Sequence, residues 1–351
     1  MNRHVVVLHH DAGVNAAISD QDVLIQAAAV RDALESQGDR VTVVPCDLNL
    51  TALRNQLTDL QPDAVFNLVE SLGGTDRMMS AIPLLLESMN IPFTGASSAA
   101  MMLTAGKITT KQLLRKFGLP TVDWWTTDRR PRHRYPVDGP MTVILKPIWE
   151  HASLGMDDAA VITVDSLEHL QNCIQDRSRN SRFPCFAERF VDGREFNLSM
   201  LTTTDGVPEV LPPAEIRFDA FPCDKPRIVG YAAKWHEDSF EFQQTPRSFD
   251  FPSTDDQLLH SLKTLALRCW EHFGLAGYAR VDFRVDVDGR IWILEINTNP
   301  CLSPDAGFAA ALTAAGISFR QAVDQIVEAA LNTADASCRP KTVPMAETRH
   351  E

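Results

Sequence analysis

Apolar positions recur with two alternating periods along the N-terminal part of the chain. Val5 to His9 is a continuous apolar run of strand length, 21–37 puts Val23, Ala27, Val30 and Leu34 on one side of a helix that Gly38 stops, and Arg40 to Val44 is a second strand. Leu53 to Leu60 reads as another helix and Asp63 to Val69 as a third strand. Met78, Ile82, Leu85, Leu86 and Met89 then mark a helix before Ile91-Pro92-Phe93-Thr94-Gly95. Alternation of this kind predicts a parallel, doubly wound sheet with ligands beyond the carboxyl ends of its strands, here 9–22 and 70–76.

Farther along, 97–120 reads as helix carrying Lys107 and Lys111, and Arg129 to Pro140 as a basic, proline-rich surface loop. Met141 to Lys146 is a strand, and Phe186 to Thr202 reads as strand, turn at Asp192-Gly193, strand. Between 205 and 252 periodicity fails, which marks a functional loop. Thr254 to Phe273 is an amphipathic helix, 305–331 an Ala-rich one, and the polar residues from Asn332 onward form a disordered tail.

The sharpest pattern is YARVDFRVDVDGRIWILEINTNP, from Tyr278 to Pro300: two apolar-polar alternating runs around Asp288-Gly289, a dipeptide suited to a two-residue hairpin turn. Pairing Val287 with Arg290 puts Asp282 opposite Glu295 and Arg280 opposite Asn297, all on one face, and leaves Val281, Phe283, Val285, Trp292, Leu294 and Ile296 on the other. Two carboxylates set face to face destabilise a sheet unless something positive lies between them. An all-oxygen set without Cys or His suits a hard divalent cation, Mg2+ in particular; the alternative is an open hairpin face with ordinary charge pairs, Arg284 among them.

Composition bounds the class. The 351 residues are 44% hydrophobic and 23% charged, enough for two or three globular domains. A net charge of -13 argues against nucleic acid or an anionic membrane as partner. The seven cysteines are scattered without a CxxC pair, which fits reduced thiols in a cytoplasm; no segment suggests export or membrane insertion. Lys146, closing a strand before a loop with Ser153 and Gly155, is a candidate phosphate cradle of backbone N–H groups and one cation, although a Lys-Pro at a strand end is more often structural. Glu188 and Glu195 flank the Asp192-Gly193 turn, a pattern that a solvated hairpin would also show.

In chain order these pieces resemble the ATP-grasp superfamily, and within it the D-alanine-D-alanine ligase family, over about 1–331. Phe66-Asn67-Leu68, Ile91 to Gly95 and Lys107 with Thr110-Lys111 look like the family's first-domain end and second-domain start. Lys146-Pro147 with Ser153-Leu154-Gly155 looks like its lysine and glycine-rich loop. Glu188-Arg189-Phe190-Val191 and Glu195 resemble the adenine hinge and the ribose acid, Lys234 the third-domain phosphate lysine, and Arg280, Asp282, Glu295 and Asn297 the catalytic arginine and metal ligands.

The resemblance implies a three-domain α/β (α+β) ATP-grasp fold: a doubly wound N-terminal substrate domain at 1–95, then mixed α+β subdomains at 96–187 and 188–335 that clamp ATP, and a flexible tail at 336–351. It implies a cytoplasmic homodimer that joins a carboxylate to an amine through an acylphosphate, using ATP and two Mg2+ ions, with Mn2+ as a substitute. Arg280 and Lys234 would be the catalytic cations, the Asn299 to Leu302 backbone would add oxyanion donors, and loops 147–156 and 219–250 would be lids. Several positions depart from the family. Ala152 and Trp235 replace a serine and a tyrosine, Glu70 stands at a histidine position, Pro300-Cys301-Leu302-Ser303 replaces Pro-Gly-Met-Thr, and Ala306-Gly307 replaces a Ser-Leu pair. Both substrate subsites are thus rewritten, with Asp20, Glu70, Arg280, Cys301 and Ser303 as candidate substrate contacts and Cys301 more a small filler than a nucleophile. Ligation onto a peptide or non-amino-acid substrate is one alternative, and a non-catalytic nucleotide-binding scaffold another.

Overall fold

The computed structural model describes residues 2–13, 18–127, 137, 139–181, 183–203 and 205–338. Most of the basic loop expected at 129–140 and the tail beyond 338 lie outside these residues. The chain opens with β1 (His4–His10), α1 (Ile18–Glu35), β2 (Arg40–Cys46), α2 (Leu50–Leu60), β3 (Ala64–Asn67) and α3 (Ala81–Met89). Its three strands make a parallel sheet in the order β2-β1-β3, with Phe93 bridging β3 at Val65, as the alternating periods predict. Val6, Leu8 and Val44 pack on Leu53, Leu57, Ile82 and Leu86 on one face. The opposite face packs Val5, Val7 and Phe66 on Val23 and Val30 of α1, and also on Val323 and Ile326 near the C-terminus. The first sheet therefore shares a core with the end of the chain, and Arg3 adds ion pairs to Asp324 and Glu328.

Next come α4 (Ser98–Ala105) and α5 (Lys107–Lys116). A single helix over 97–120 is not what forms: Gly106 breaks it in an extended conformation, and a Cβ there would lie 2.5 Å from the Trp149 ring. Then follow β4 (Trp124–Trp125), β5 (Met141–Pro147), β6 (Val161–Val164), α6 (Leu167–Ser181) and β7 (Cys185–Arg189), whose strands form a sheet in the order β4-β7-β5-β6. Strand alternation divides its faces. Val143, Leu145 and Ala187 pack on Leu170 and Ile174 of α6, whereas Ile144, Lys146 and Glu188 face a cavity.

The remainder contains β8 (Gly193–Thr202), β9 (Pro208–Val210), β10 (Ala214–Ile216), α7 (Tyr231–Trp235), α8 (Phe240–Gln243), β11 (Arg247–Ser248), α9 (Asp256–Phe273), β12 (Tyr278–Asp286), β13 (Ile291–Asn297), α10 (Gly307–Ala314) and α11 (Phe319–Cys338). Its main sheet runs β11-β10-β8-β12-β13, with β9 on β8. Phe186 to Thr202 is consequently not a hairpin: β7 and β8 belong to different sheets, and 190–192 is the crossing between them. Gly193 is required there, because a Cβ would lie 2.1 Å from the Val285 carbonyl oxygen. The Ala-rich stretch is two helices separated at Gly316 (φ +71°), and the second continues through Cys338 rather than ending at Asn332.

In the β12–β13 hairpin Asp282 pairs with Glu295 and Arg280 with Asn297, but by a different route from the expected one. The turn is one residue longer, with Asp286 N–H bonded to the Arg290 carbonyl, and a bulge between Asp282 and Phe283 restores the register. As a result Ile293, not Leu294, joins Val281, Phe283, Val285 and Ile296 in the core against α9; Leu294 lines the cavity, and Trp292 donates to Asp286.

Candidate active site

Sheet alternation aims the polar faces of the two later sheets at each other across a cavity of about 470 Å3. One wall carries Lys146 and Glu188, the other Glu195, Asn197, Arg280, Asp282, Arg284, Glu295 and Asn297. Lys107, the first residue of α5, closes one side and donates to the Glu150 carbonyl at 2.5 Å. Arg189, Phe190 and Val191 form the rim where the chain crosses between the sheets.

Glu188 sits between two ammonium groups. Lys111 reaches it at 2.7 Å with both side chains about 2% exposed, and Lys146 contacts its other oxygen. Burial alone would raise the Glu188 pKa, yet the charges of Lys111 and Lys146 hold it at about 2. The group is therefore a fixed anion, and Lys111 is a structural partner that helical periodicity hid among surface lysines. Glu195 is also paired, at 2.7 Å from Arg284, which is itself buried.

The loop after β5 is tied on both sides. Ala152, Ser153 and Gly155 have φ of +55°, +59° and +69°. Ser153 Oγ donates to the Val229 carbonyl at 2.8 Å and the Trp235 indole N–H to the Ala152 carbonyl at 2.9 Å. The two unusual residues, Ala152 and Trp235, thus brace the loop with a side-chain donor and a backbone acceptor. Toward the first sheet, the His151 N–H donates to Asp76 at 2.6 Å, Thr75 donates to Glu150 at 3.1 Å, and the Arg77 guanidinium lies over Trp149.

On the hairpin, Arg280 makes two bonds to Asp282, at 2.8 and 3.0 Å, and Asn197 donates to the same carboxylate at 2.8 Å. His151 Nδ1 lies 2.6 Å from Glu295, and Asn297 Oδ1 accepts from the Asn299 N–H. Among the described residues no group of three or more His, Cys, Asp or Glu side chains is arranged to hold a metal ion by itself; the oxygen set is two carboxylates and one amide. That chemistry fits Mg2+ alongside phosphate oxygens, and the Arg280 guanidinium and the His151 ring lie against the carboxylates that would serve it. Lys234 lines the same cavity; burial and the nearby Arg280 push its pKa down, against the pull of Glu295 and Asp282.

A third group lies at the far end. Asp22 accepts from Ser303 Oγ at 2.6 Å, Cys301 Sγ at 3.0 Å and Gln26 Nε2 at 3.1 Å, and the same Gln26 amide donates to Glu70 at 3.0 Å. Gln26 Oε1 accepts the Leu302 N–H at 2.9 Å. Burial, with Asp76 and Asp22 adding to it against the Gln26 bond, raises the Glu70 pKa to about 7. Neither Asp22 nor Glu70 has an ion-pair partner among the described residues. Asp20 does not line the cavity; Asp22, one half-turn on and sharing a face with Gln26, does. Burial and both acids push the Cys301 thiol well above its ordinary value, so it is a donor and not a thiolate. Within the Asn299 to Leu302 turn, the N–H groups of Asn299 and Leu302 donate to Asn297 Oδ1 and Gln26 Oε1. Gln26 and His151 carried no sequence signal beyond their polarity, and Lys111 was legible only as part of the Thr110-Lys111 resemblance.

Comparison with known proteins places this geometry. The family model described as D-ala D-ala ligase C-terminus matches residues 113–328. The chain is 32% identical over 305 residues to the D-alanine-D-alanine ligase of Methylococcus capsulatus, covering 86% of this chain and 88% of the relative. The chain belongs to the D-alanine-D-alanine ligase family. Against that of Nitrosococcus oceani it is 30% identical over 311 residues, covering 88% and 89%. The fold matches the Bacillus anthracis D-alanine-D-alanine ligase complexed with ATP at a TM-score of 0.70, with 19% identity over 95% of this chain and 99% of that one. The Coxiella burnetii ligase matches at 0.68, with 19% identity over 95% and 97%. Family membership makes this an ATP-dependent ligase with an ATP-grasp fold acting on small molecules, and implies ATP and Mg2+ in general. Among the described residues no helix is long and apolar enough to cross a membrane.

Proposed function

We propose that this ligase joins a carboxylate to an amine through an acylphosphate, on substrates other than a simple pair of D-alanines. One observation carries the reading: a single cavity joins a lysine-rich end, an oxygen-donor hairpin and a separate end where, among the described residues, Asp22 and Glu70 have no ion-pair partner. The family resemblance supplies the nucleotide half, and apart from Ala152 and Trp235, which brace the loop over the phosphates, the unusual residues lie in the substrate half.

Lys107, Lys146 and Lys234 would neutralise the triphosphate, with Arg189 to Val191 beside the adenine and Glu195 beside the ribose. Ser153 and Gly155 would cover the phosphates, in a loop whose backbone is already bent for close approach. Asp282, Glu295 and Asn297 would hold Mg2+, which when bound offsets charge on the transferring phosphoryl group. The substrate carboxylate attacks the γ-phosphorus and ADP leaves; the amine then attacks the acyl carbon and phosphate leaves. Arg280 stands beside Asp282 to hold that carboxylate first and the oxyanion afterwards. An ammonium between Asp22 and Glu70 would ionise Glu70 and anchor one substrate. The loops at 147–156 and 219–250 exclude water, which an acylphosphate requires.

A division at 1–95, 96–187 and 188–335 draws support from the three sheets, although the second boundary falls inside β7 and the two ends of the chain share a core. A homodimer in the cytoplasm completes the reading, supported by the resemblance and by the free thiols of the described cysteines. The test is ADP and phosphate release with Mg-ATP across a matrix of D- and L-amino acids, singly and in pairs, with an Asp282→Ala, Glu295→Ala double variant as blank. Release that needs two acids and vanishes in the variant supports the reading; no release from any combination contradicts an amino-acid ligase.

A further inference from the structure

Asp22, Glu70 and several guanidinium groups line the cavity, and their partners differ. Asp22 is bonded by three donors, and Glu70 shares the Gln26 amide. Arg280 is neutralised by two bonds to Asp282, and Arg284, farther in, by Glu195. Arg247 also lines the cavity, and its hydrogen bond is to the Asp305 backbone carbonyl at 3.1 Å. No carboxylate lies within ion-pair distance of it among the described residues. A guanidinium carries five donors in a planar fork matched to two carboxylate oxygens, and a single carbonyl leaves most of them open.

Resting on the ligase reading above, we propose that Arg247 is the anion-binding residue of the amine-donor subsite, so that the second substrate carries a carboxylate which Arg247 holds. Three features fix it there. Its strand pairs with β10, Ile216 opposite Arg247, which anchors the backbone. The guanidinium lies directly over Gly307, where a Cβ would come within 3.4 Å of Arg247 Nε, so the wall leaves it room. Arg247 is exposed at the mouth of the cavity, and the positive charge of Arg280 works against its own, opposed by the carboxylate of Asp305 from beyond ion-pair distance; a bound anion would offset the repulsion between the two guanidinium groups. Arg280 sits on the hairpin beside Asp282 and Glu295, at the phosphoryl-transfer end, where the acid to be activated must lie. Arg247 sits on the far strand of the same sheet, beside α10, so the anion it holds belongs to the incoming amine.

Hydroxylamine separates the two half-reactions. It has no carboxylate, and it attacks the acylphosphate directly: a C–N bond forms, the C–O bond to phosphorus's oxygen breaks, phosphate leaves and nitrogen gives up a proton, yielding a hydroxamate. The experiment measures ADP release with hydroxylamine, and with a panel of D- and L-amino acids and their carboxamides as acceptors, for wild type, Arg247→Ala and Arg247→Lys. Wild type is expected to favour the acid over its carboxamide. Arg247→Ala should lose about 10- to 100-fold in kcat/KM for the acid acceptor, the size of a lost charge-assisted contact. Its hydroxamate formation and carboxamide use should be unchanged, and Arg247→Lys should recover part of the loss. Carboxamides matching the acids in wild type, or hydroxamate formation falling in step with ligation in Arg247→Ala, would overturn the proposal while leaving the ligase reading intact. A wild type that releases no ADP with hydroxylamine and any acid brings down the ligase reading and this one with it.

Discussion

Glu70 joins function to stability in one group, and replacing it with glutamine separates the two. In the empty enzyme its carboxyl is raised from 4.5 to about 7 by burial and by Asp76 and Asp22. That gap corresponds to roughly 3 kcal/mol of preference for the protonated form in the folded chain. The sign follows: between about pH 4.5 and 7 the folded protein binds a proton that the unfolded chain has released, so stability falls as pH rises through this window. The cost is fully present above pH 7 and absent below 4.5. Glu70→Gln keeps an acceptor for Gln26 and removes the ionisation. Calorimetry should find the variant and wild type equally stable near pH 4.5, and the variant more stable at pH 8 by up to about 3 kcal/mol. Ligation should move the other way. If Glu70 holds a substrate ammonium, the variant loses it, and wild-type KM for that substrate rises as pH drops below about 7 because the carboxyl protonates. A stability difference that is the same at both pH values refutes the reasoning, and a gain in stability without loss of turnover refutes the role.

Two other substitutions probe the walls of the cavity, and a pair of glycine substitutions probes the fold. Trp235→Phe removes the indole bond to Ala152 and should cost about 1 kcal/mol of loop closure, read as a several-fold rise in KM for ATP with unchanged folding. Glu188→Gln leaves Lys111 and Lys146 facing each other without an anion and should lower stability by about 3–5 kcal/mol in chemical denaturation. Gly193→Ala meets the Val285 carbonyl and should cut soluble yield, whereas Gly206→Ala, with open space around it, should express well despite a φ of +80°.

The first sheet was readable because each of its strands and helices buries one face, and burial writes its period into the residues. The hairpin was readable at its functional end for a less secure reason. A three-residue loop in place of a two-residue turn displaces the register by one, and the bulge beside Leu294 displaces it back, so Asp282 still meets Glu295. Asp288-Gly289 serves either turn, and a bulge leaves no local mark. What the sequence hid was long-range. Gly106 breaks a helix because Trp149, from a distant loop, fills the space above it. Lys111 looks like any surface lysine until Glu188 arrives from another strand, and Arg247 lies in a stretch without periodicity. Asp20 and Asp22 differ only in which side of α1 they occupy, and that is settled by how the helix docks on the sheet, with Gln26 turned toward Glu70.

The central claim is the acylphosphate, and the fate of a carboxylate oxygen tests it most directly. The acid found by the substrate matrix would be labelled with 18O in its carboxylate, turned over with Mg-ATP and its amine partner, and the released phosphate analysed by mass spectrometry. One 18O atom in each phosphate is the predicted result, because the oxygen that attacks the γ-phosphorus leaves with it. Unlabelled phosphate, or label carried into AMP, would contradict the account.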